Sequence, residues 1–194
     1  MKSSLMQVCA AAVLACAAAG SAAQPAELEG VKLAPTAQVG SSPLVLNGAG
    51  LRVRVFFKVY VAALYLPQKT TDAAAALAQK GPRRVAITML RDVDADTFAK
   101  ALVDGLRDNH TEAQMVAMKA PMDALTANLK LVGEAKKGDV IHFEFQPEQG
   151  TRTLVNGQPR GIAIAGDEFF TAVLRIWLGD KPVDPGLKKG LLGG

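Results

Sequence analysis

The sequence predicts an α+β fold built on an antiparallel sheet, and three features carry that prediction. Residues 52–57 and 58–66 are consecutive runs rich in β-branched and aromatic side chains, closed by Pro67. Asn156-Gly157 separates two further runs of this kind, and Asn-Gly suits a two-residue hairpin because both positions take positive φ. The segments of helical period come in blocks rather than alternating singly with strands, which argues against a parallel arrangement.

Residues 1–23 read as an export signal. Met1-Lys2 gives a positive start, Leu5 to Leu14 is mostly apolar, and Gly20-Ser21-Ala22-Ala23 supplies small residues at a cleavage site. A cut after Ala23 makes Gln24 the mature N-terminus of a periplasmic or secreted protein. The apolar run is broken by Gln7 and falls short of the roughly 20 residues that cross a bilayer, so no transmembrane segment is expected in the mature protein. In an alternative reading, Val13-Leu14-Ala15-Cys16 resembles the box before a lipid-modified cysteine, and the protein is a lipoprotein anchored at Cys16. Both cysteines, Cys9 and Cys16, lie in this segment. Cleavage after Ala23 therefore excludes disulfides, thiolate nucleophiles and thiolate metal sites.

Residues 24–43, with Pro25, Gly30, Pro35, Gly40 and Pro43, read as an irregular lead-in with one short strand around Val31–Leu33. The domain proper is then 44–194, long enough for one substantial core. Leu44–Leu46 is a strand ended by a turn at Asn47-Gly48-Ala49-Gly50, ahead of the strands at 52–57 and 58–66. Thr70 or Thr71 caps a helix through alanines 73–76 to about Lys80, where Gly81-Pro82 stops it. Arg84 to Leu90 is a strand. Asp92 or Asp94 opens a helix with Phe98, Ala101, Leu102 and Leu106 near helical period, and a second helix from about Pro121 carries Met122, Leu125, Leu129 and Val132. Asp139 to Phe145 alternates and puts His142 on the solvent face. Thr151–Val155 and Gln158–Ile164 flank the Asn-Gly turn. Asp167 caps a helix through Trp177 that stops at Gly179, and a last helix begins at Pro185.

Composition narrows the function classes. The net charge is +4, the basic residues are dispersed and aromatics make up 5% of the chain, so no basic face for nucleic acid is expected. Two histidines, His110 and His142, without a paired spacing give a transition metal little to bind, and no cofactor is expected. No Gly-x-Ser-x-Gly elbow is present. Gly48-Ala49-Gly50 lacks the third glycine and following helix of a dinucleotide loop. Asp92, Asp94 and Asp96 lack the glycine and distal glutamate of a calcium loop. The oligomeric state is not set by the sequence.

Arg52 stands out among these residues. It shares a strand face with Arg54, and Tyr60 stands across from them on the next strand. A guanidinium among Val, Phe, Ala and Leu is costly unless it pairs with an internal acid, reaches solvent or meets a polar ligand, and its planar fork suits a carboxylate.

Leu46-Asn47-Gly48-Ala49-Gly50-Leu51-Arg52, with Lys58 to Leu66, resembles the paired opening strands of the chalcone-isomerase-like family. Phe169 to Gly179 and Val183-Asp184-Pro185-Gly186-Leu187-Lys188 resemble its closing helices. The resemblance spans about Leu44 to Leu192 and is closest to the bacterial, signal-bearing branch. It implies an open-faced β-sandwich, a large antiparallel sheet with a helical layer on one face and a ligand cleft between. Plant chalcone isomerases act through an arginine, a threonine, a tyrosine, an asparagine and a helix hydroxyl. By resemblance these positions hold Arg52, Tyr60, Phe98, about Gly105 and about Ile176 here. Only the arginine is kept, so flavonoid isomerisation is not expected. Non-catalytic members bind fatty acids through an arginine and a tyrosine. The resemblance therefore implies a binding protein that holds a small acidic or apolar ligand, a fatty acid foremost, with Arg52 and Tyr60 on the carboxylate. Phe98, Ile176 and Trp177, with Val59, Leu102 and Leu174, would line the tail site. An enzyme using Arg52 as electrophile and Tyr60 as general acid, and an envelope interaction protein with a vestigial, filled cleft, are the alternatives.

Overall fold

Seven antiparallel strands with helices packed on one face make up the body of the protein in the computed structural model, which describes residues 26–194. The expected export signal, its cut after Ala23 and the alternative anchor at Cys16 lie outside the described residues. The elements run β1 (Ala26–Leu28), β2 (Val31–Leu33), β3 (Thr36–Val39), β4 (Ser42–Arg54), β5 (Phe57–Leu66), α1 (Ala73–Ala78), β6 (Arg83–Met89), β7 (Val93–Asp94) and α2 (Ala95–Asp108). There follow α3 (Glu112–Ala117), α4 (Lys119–Lys130), β8 (Glu134–Ala135), β9 (Val140–Gln146), β10 (Gly150–Val155), β11 (Gln158–Ile164), α5 (Asp167–Leu178) and α6 (Pro185–Leu191). The large sheet has the order β11-β10-β9-β6-β5-β4-β3, and β1-β2 and β7-β8 form two small ribbons.

The alternation of β5 divides the core in two. Tyr60, Ala62, Leu64 and Leu66 face the helical layer and join Val85, Ile87, Met89, Ile141, Phe143 and Phe145 against the apolar sides of α2 and α5. Val61, Ala63 and Tyr65 face the other way and are covered by Leu33, Val39 and Leu44. The lead-in expected to be irregular is therefore a packing element. It forms β1, β2 and β3, with Gly30 (φ 79°) and Gly40 (φ 59°) at the turns, and the Tyr65 hydroxyl donates to the Ala34 carbonyl at 3.0 Å.

Five other expectations need correction. Asn47-Gly48 is no turn: β4 runs straight through it with a register shift between Leu46 and Gly48. Asn47 Nδ2 donates to the Leu191 carbonyl at 2.7 Å, and its Oδ1 accepts from Thr70 N at 2.8 Å. The glycines that look like turn residues are contact residues, because a Cβ on Gly48 would overlap the Gly190 carbonyl and one on Gly50 would lie 2.8 Å from the Leu187 carbonyl oxygen. Residues 52–57 are not one strand, since β4 ends at Arg54 and the hairpin turns at Val55-Phe56. Val55 sits there with φ 59°, a conformation that costs a β-branched residue on the order of 1–3 kcal/mol.

The remaining three concern caps and polar groups. Asp72, not Thr70 or Thr71, caps α1. Asp167 is the first residue of α5 rather than its cap, and its carboxylate pairs with Lys80 at 2.6 Å and with the buried Arg83. His142 is half-buried beside the buried Glu144, 3.5 Å from its carboxylate, which also meets Arg84 at 2.6 Å and Arg152 at 3.1 Å. The Asn156-Gly157 hairpin forms as read, with φ of 52° and 78°.

Candidate ligand cleft

A cleft of about 780 Å³ opens between the hairpin end of β4 and β5, helix α2 and the segment after α5. That volume lies within the roughly 300–1,000 Å³ of small-molecule sites. Arg52, Arg54, Val55, Phe57, Val59 and Tyr60 form one wall, and Thr97, Phe98, Ala101, Leu102, Gly105 and Asp108 of α2 form another. Ile176, Pro182 and Val183 close the back, and Arg91, Asp92, Asp94 and Glu134 stand at the rim.

Arg52 and Tyr60 are cross-strand partners in the β4–β5 ladder, so their side chains leave the same face side by side. A register shift falls just beyond this pair, at Arg52/Val53, so Val59 is left without a partner. Arg52 Nη1 donates to its neighbour's carbonyl, Val53 O, at 2.8 Å and to Asp184 Oδ2 at 3.4 Å. Among the described residues, Nε and Nη2 donate to nothing, and the side chain is about one-fifth exposed at 22%.

Asp184 is held by several groups at once. As N-cap of α6 its Oδ1 accepts from Gly186 N at 2.9 Å and Leu187 N at 3.1 Å, while Oδ2 accepts from Val53 N at 3.1 Å. Burial works against its charge. The main-chain donors of Leu187, Val53 and Gly186 and the Arg52 guanidinium outweigh that, keeping the carboxyl below its ordinary range.

Tyr60 is buried, and its hydroxyl oxygen accepts from the Trp177 indole at 3.0 Å. Burial pushes its pKa from 10.0 up to about 12, against the smaller opposing effects of the Trp177 bond and Arg52. At neutral pH it is a phenol with its own proton still to give. The arrangement thus offers two kinds of donor, guanidinium N–H and phenol O–H, in a cleft lined by both polar and apolar side chains.

Of the side chains singled out from sequence, Arg52, Tyr60, Phe98 and Ile176 line this one cleft, as do Val59 and Leu102. Trp177 does not line it. It stands behind Tyr60, at 1% exposure, and acts on the cleft only through the indole bond. Leu174 is core, away from the lining. All five positions given by the family resemblance fall on the lining, Gly105 included, and there a Cβ would sit 2.8 Å from Ile176 Cγ2. Sequence reasoning missed Asp184, Thr97, Phe57 and Arg91. Asp184-Pro185 was legible as a helix start, but no local pattern ties it to a strand 132 residues earlier.

A family model described as chalcone isomerase-like matches residues 25–193. Among solved structures, a fatty-acid binding protein of Arabidopsis thaliana has a similar fold, with a TM-score of 0.62 at 12% identity over 84% of this chain and 92% of that one. No curated protein matches.

Proposed function

The chain belongs to the chalcone isomerase-like family, and from that premise we propose that it is a binding protein without catalytic activity. It holds a small carboxylic acid, such as a fatty acid, by the head group. The adjacency of Arg52 and Tyr60 on neighbouring strands carries this reading. Arg52 offers unshared N–H groups and Tyr60 an unshared O–H, so one carboxylate can satisfy both. Val59, Phe98, Leu102 and Ile176 then give the acyl chain apolar contact. The Arabidopsis relative in fold, a fatty-acid binding protein, supports the same ligand class. An open cleft of about 780 Å³ disfavours the reading in which side chains fill it. Of the five positions that the family resemblance matches to the isomerase site, three fall at Phe98, about Gly105 and about Ile176, whose side chains cannot hydrogen-bond a substrate.

We place the mature protein in the periplasm after cleavage at Ala23, with lipidation at Cys16 as the alternative. Intact mass distinguishes a chain starting at Gln24 from one carrying acyl groups on Cys16. Native mass spectrometry of protein purified from its own source, beside Arg52→Ala, tests the ligand. An acid adduct on the wild type that is absent from Arg52→Ala supports the proposal. Bare spectra for both, with no thermal shift on adding fatty acids, overturn it.

A further inference from the structure

The β4–β5 hairpin tip is apolar where a hairpin has no folding reason to be. Phe56 is 89% exposed, Val55 76% and Phe57 58%. The chain has seven phenylalanines, and the other five are buried in the core. A two-residue turn favours Gly, Asn or Asp at the position where Val55 takes φ 59°. Val55 therefore combines backbone strain with exposure, beside the still more exposed Phe56, and neither feature helps the chain fold.

Cations collar this tip. Arg54 is exposed and makes no ion pair among the described residues, and the Arg91 guanidinium lies 4.4 Å above the Phe57 ring. Lys58 follows, its side chain 57% exposed while its ammonium pairs with Glu29 at 2.6 Å. Residues 52–58 hold three cations and no acid. Of the acids that line the adjoining cleft, Asp92 accepts from Lys137 N at 2.7 Å.

We propose that this hairpin inserts its tip into the interface of an anionic lipid bilayer. Val55 and Phe56 enter at the depth of the upper acyl chains, and Arg54, Lys58 and Arg91 meet head-group phosphates. A bilayer fits better than a protein partner, because a stable protein interface needs about 800 Å² per side, and this is a narrow wedge with a charged collar. Arg54, Val55, Phe57 and Arg91 also line the cleft, so insertion brings the cleft mouth against the membrane. The proposal goes beyond the binding reading and does not depend on what the cleft holds.

The test uses vesicles of phosphatidylcholine with phosphatidylglycerol, vesicles of phosphatidylcholine alone, and two variants. Phe56→Trp supplies a reporter, since the native Trp177 is buried and gives a constant background. Its emission shifts to the blue on adding the anionic vesicles. The double variant Val55→Gly with Phe56→Ser installs residues that the turn favours, so it folds at least as stably as the wild type. It loses anionic-vesicle binding at least tenfold, and binding of the wild type weakens as salt rises. The proposal is overturned if the wild type fails to sediment with anionic vesicles. It is also overturned if the double variant sediments equally, if both vesicle types bind alike, or if the variant merely splits a dimer without changing sedimentation.

Discussion

The indole N–H of Trp177 donates to the Tyr60 hydroxyl oxygen at 3.0 Å, inside the core and 117 positions away in the chain. One bond therefore fixes the phenol at the head of the cleft while leaving its proton available. Replacing Tyr60 by Phe removes that proton and leaves the buried indole unsatisfied. The expected loss in urea unfolding is about 1–3 kcal/mol, and acid binding weakens as well. Unchanged acid affinity in a folded Tyr60→Phe protein would remove the phenol from the site.

Alkaline pH gives a second reading of the same group. Its folded-state pKa, about 12 against 10.0 for an ordinary tyrosine, means that the neutral phenol is favoured by folding. That contribution is complete below pH 10 and is lost as pH rises through 12. A rise of that size corresponds to roughly 2–3 kcal/mol. Tyr65 is also raised by burial, so the informative quantity is the difference between wild type and Tyr60→Phe. Stability should fall more steeply from pH 10 to 12 in the wild type. Parallel curves would contradict this assignment.

Asp184 supports the fold and, on the proposed reading, competes with the ligand's carboxylate for Arg52. Its carboxylate caps α6, receives Val53 N and competes for Arg52. Asp184→Ala should cost about 1–2 kcal/mol through the lost cap. It should also tighten acid binding several-fold, since Arg52 loses its only carboxylate among the described residues. Because the folded carboxyl is held below its ordinary range, its contribution is present above pH 4 and fades as pH falls below that. Isothermal titration with a soluble fatty acid and acid unfolding curves check the two halves separately.

Among the described residues the fully buried arginine is Arg83, not Arg52. It pairs with Asp167, donates to Thr171 Oγ1 and Gly81 O, both at 3.2 Å, and lies 5.1 Å from the centroids of the Phe145 and Phe170 rings. Arg83→Ala leaves Asp167 without its buried partner and opens a hole between two rings. A loss of about 3–5 kcal/mol is expected, against roughly 1 kcal/mol or less for the partly exposed Arg52→Ala. Thermal unfolding of the two variants decides the ranking.

Gly190→Ala should be worse than its size suggests. The added Cβ would overlap the Ala49 carbonyl, which is backbone and cannot turn aside. Displacing α6 exposes Leu187 and Leu191 and removes Asp184 from Arg52. The expected cost is about 3 kcal/mol or more, read by chemical denaturation. A near-neutral result would mean that α6 can slide along β4.

The sequence made periodic and local features legible. Asn156-Gly157 announced its hairpin, the Phe98–Leu106 period its helix, and Asp184-Pro185 the start of α6. Features set by distant partners were not legible. Gly48 and Gly50 looked like turn residues because nothing local shows that α6 lies against them. Residues 24–43 looked irregular because their prolines and glycines mark turns, while Val31, Leu33 and Val39 find their contacts on the far face of β5. Nothing local marks Arg83 as buried, because its ring neighbours come from β9 and α5. In the cleft, the Arg52–Tyr60 adjacency was readable from strand pairing. The Asp184 contact and the retreat of Trp177 behind Tyr60 depend on helix packing that no short motif encodes.

The backbone contact between α6 and β4 also orders the events by which the chain closes. Asn47 and Leu191, joined at 2.7 Å, are 144 positions apart, and contacts of such separation are slow to form. During synthesis β4 can pair with β5 early, but its seat for α6 stays empty until residue 191 has been made. A chain halted before α6 would hold most of the sheet, with Arg52 unmatched and an apolar trough along Gly48–Gly50. Such a species is a natural client for a holding chaperone and a natural source of aggregates.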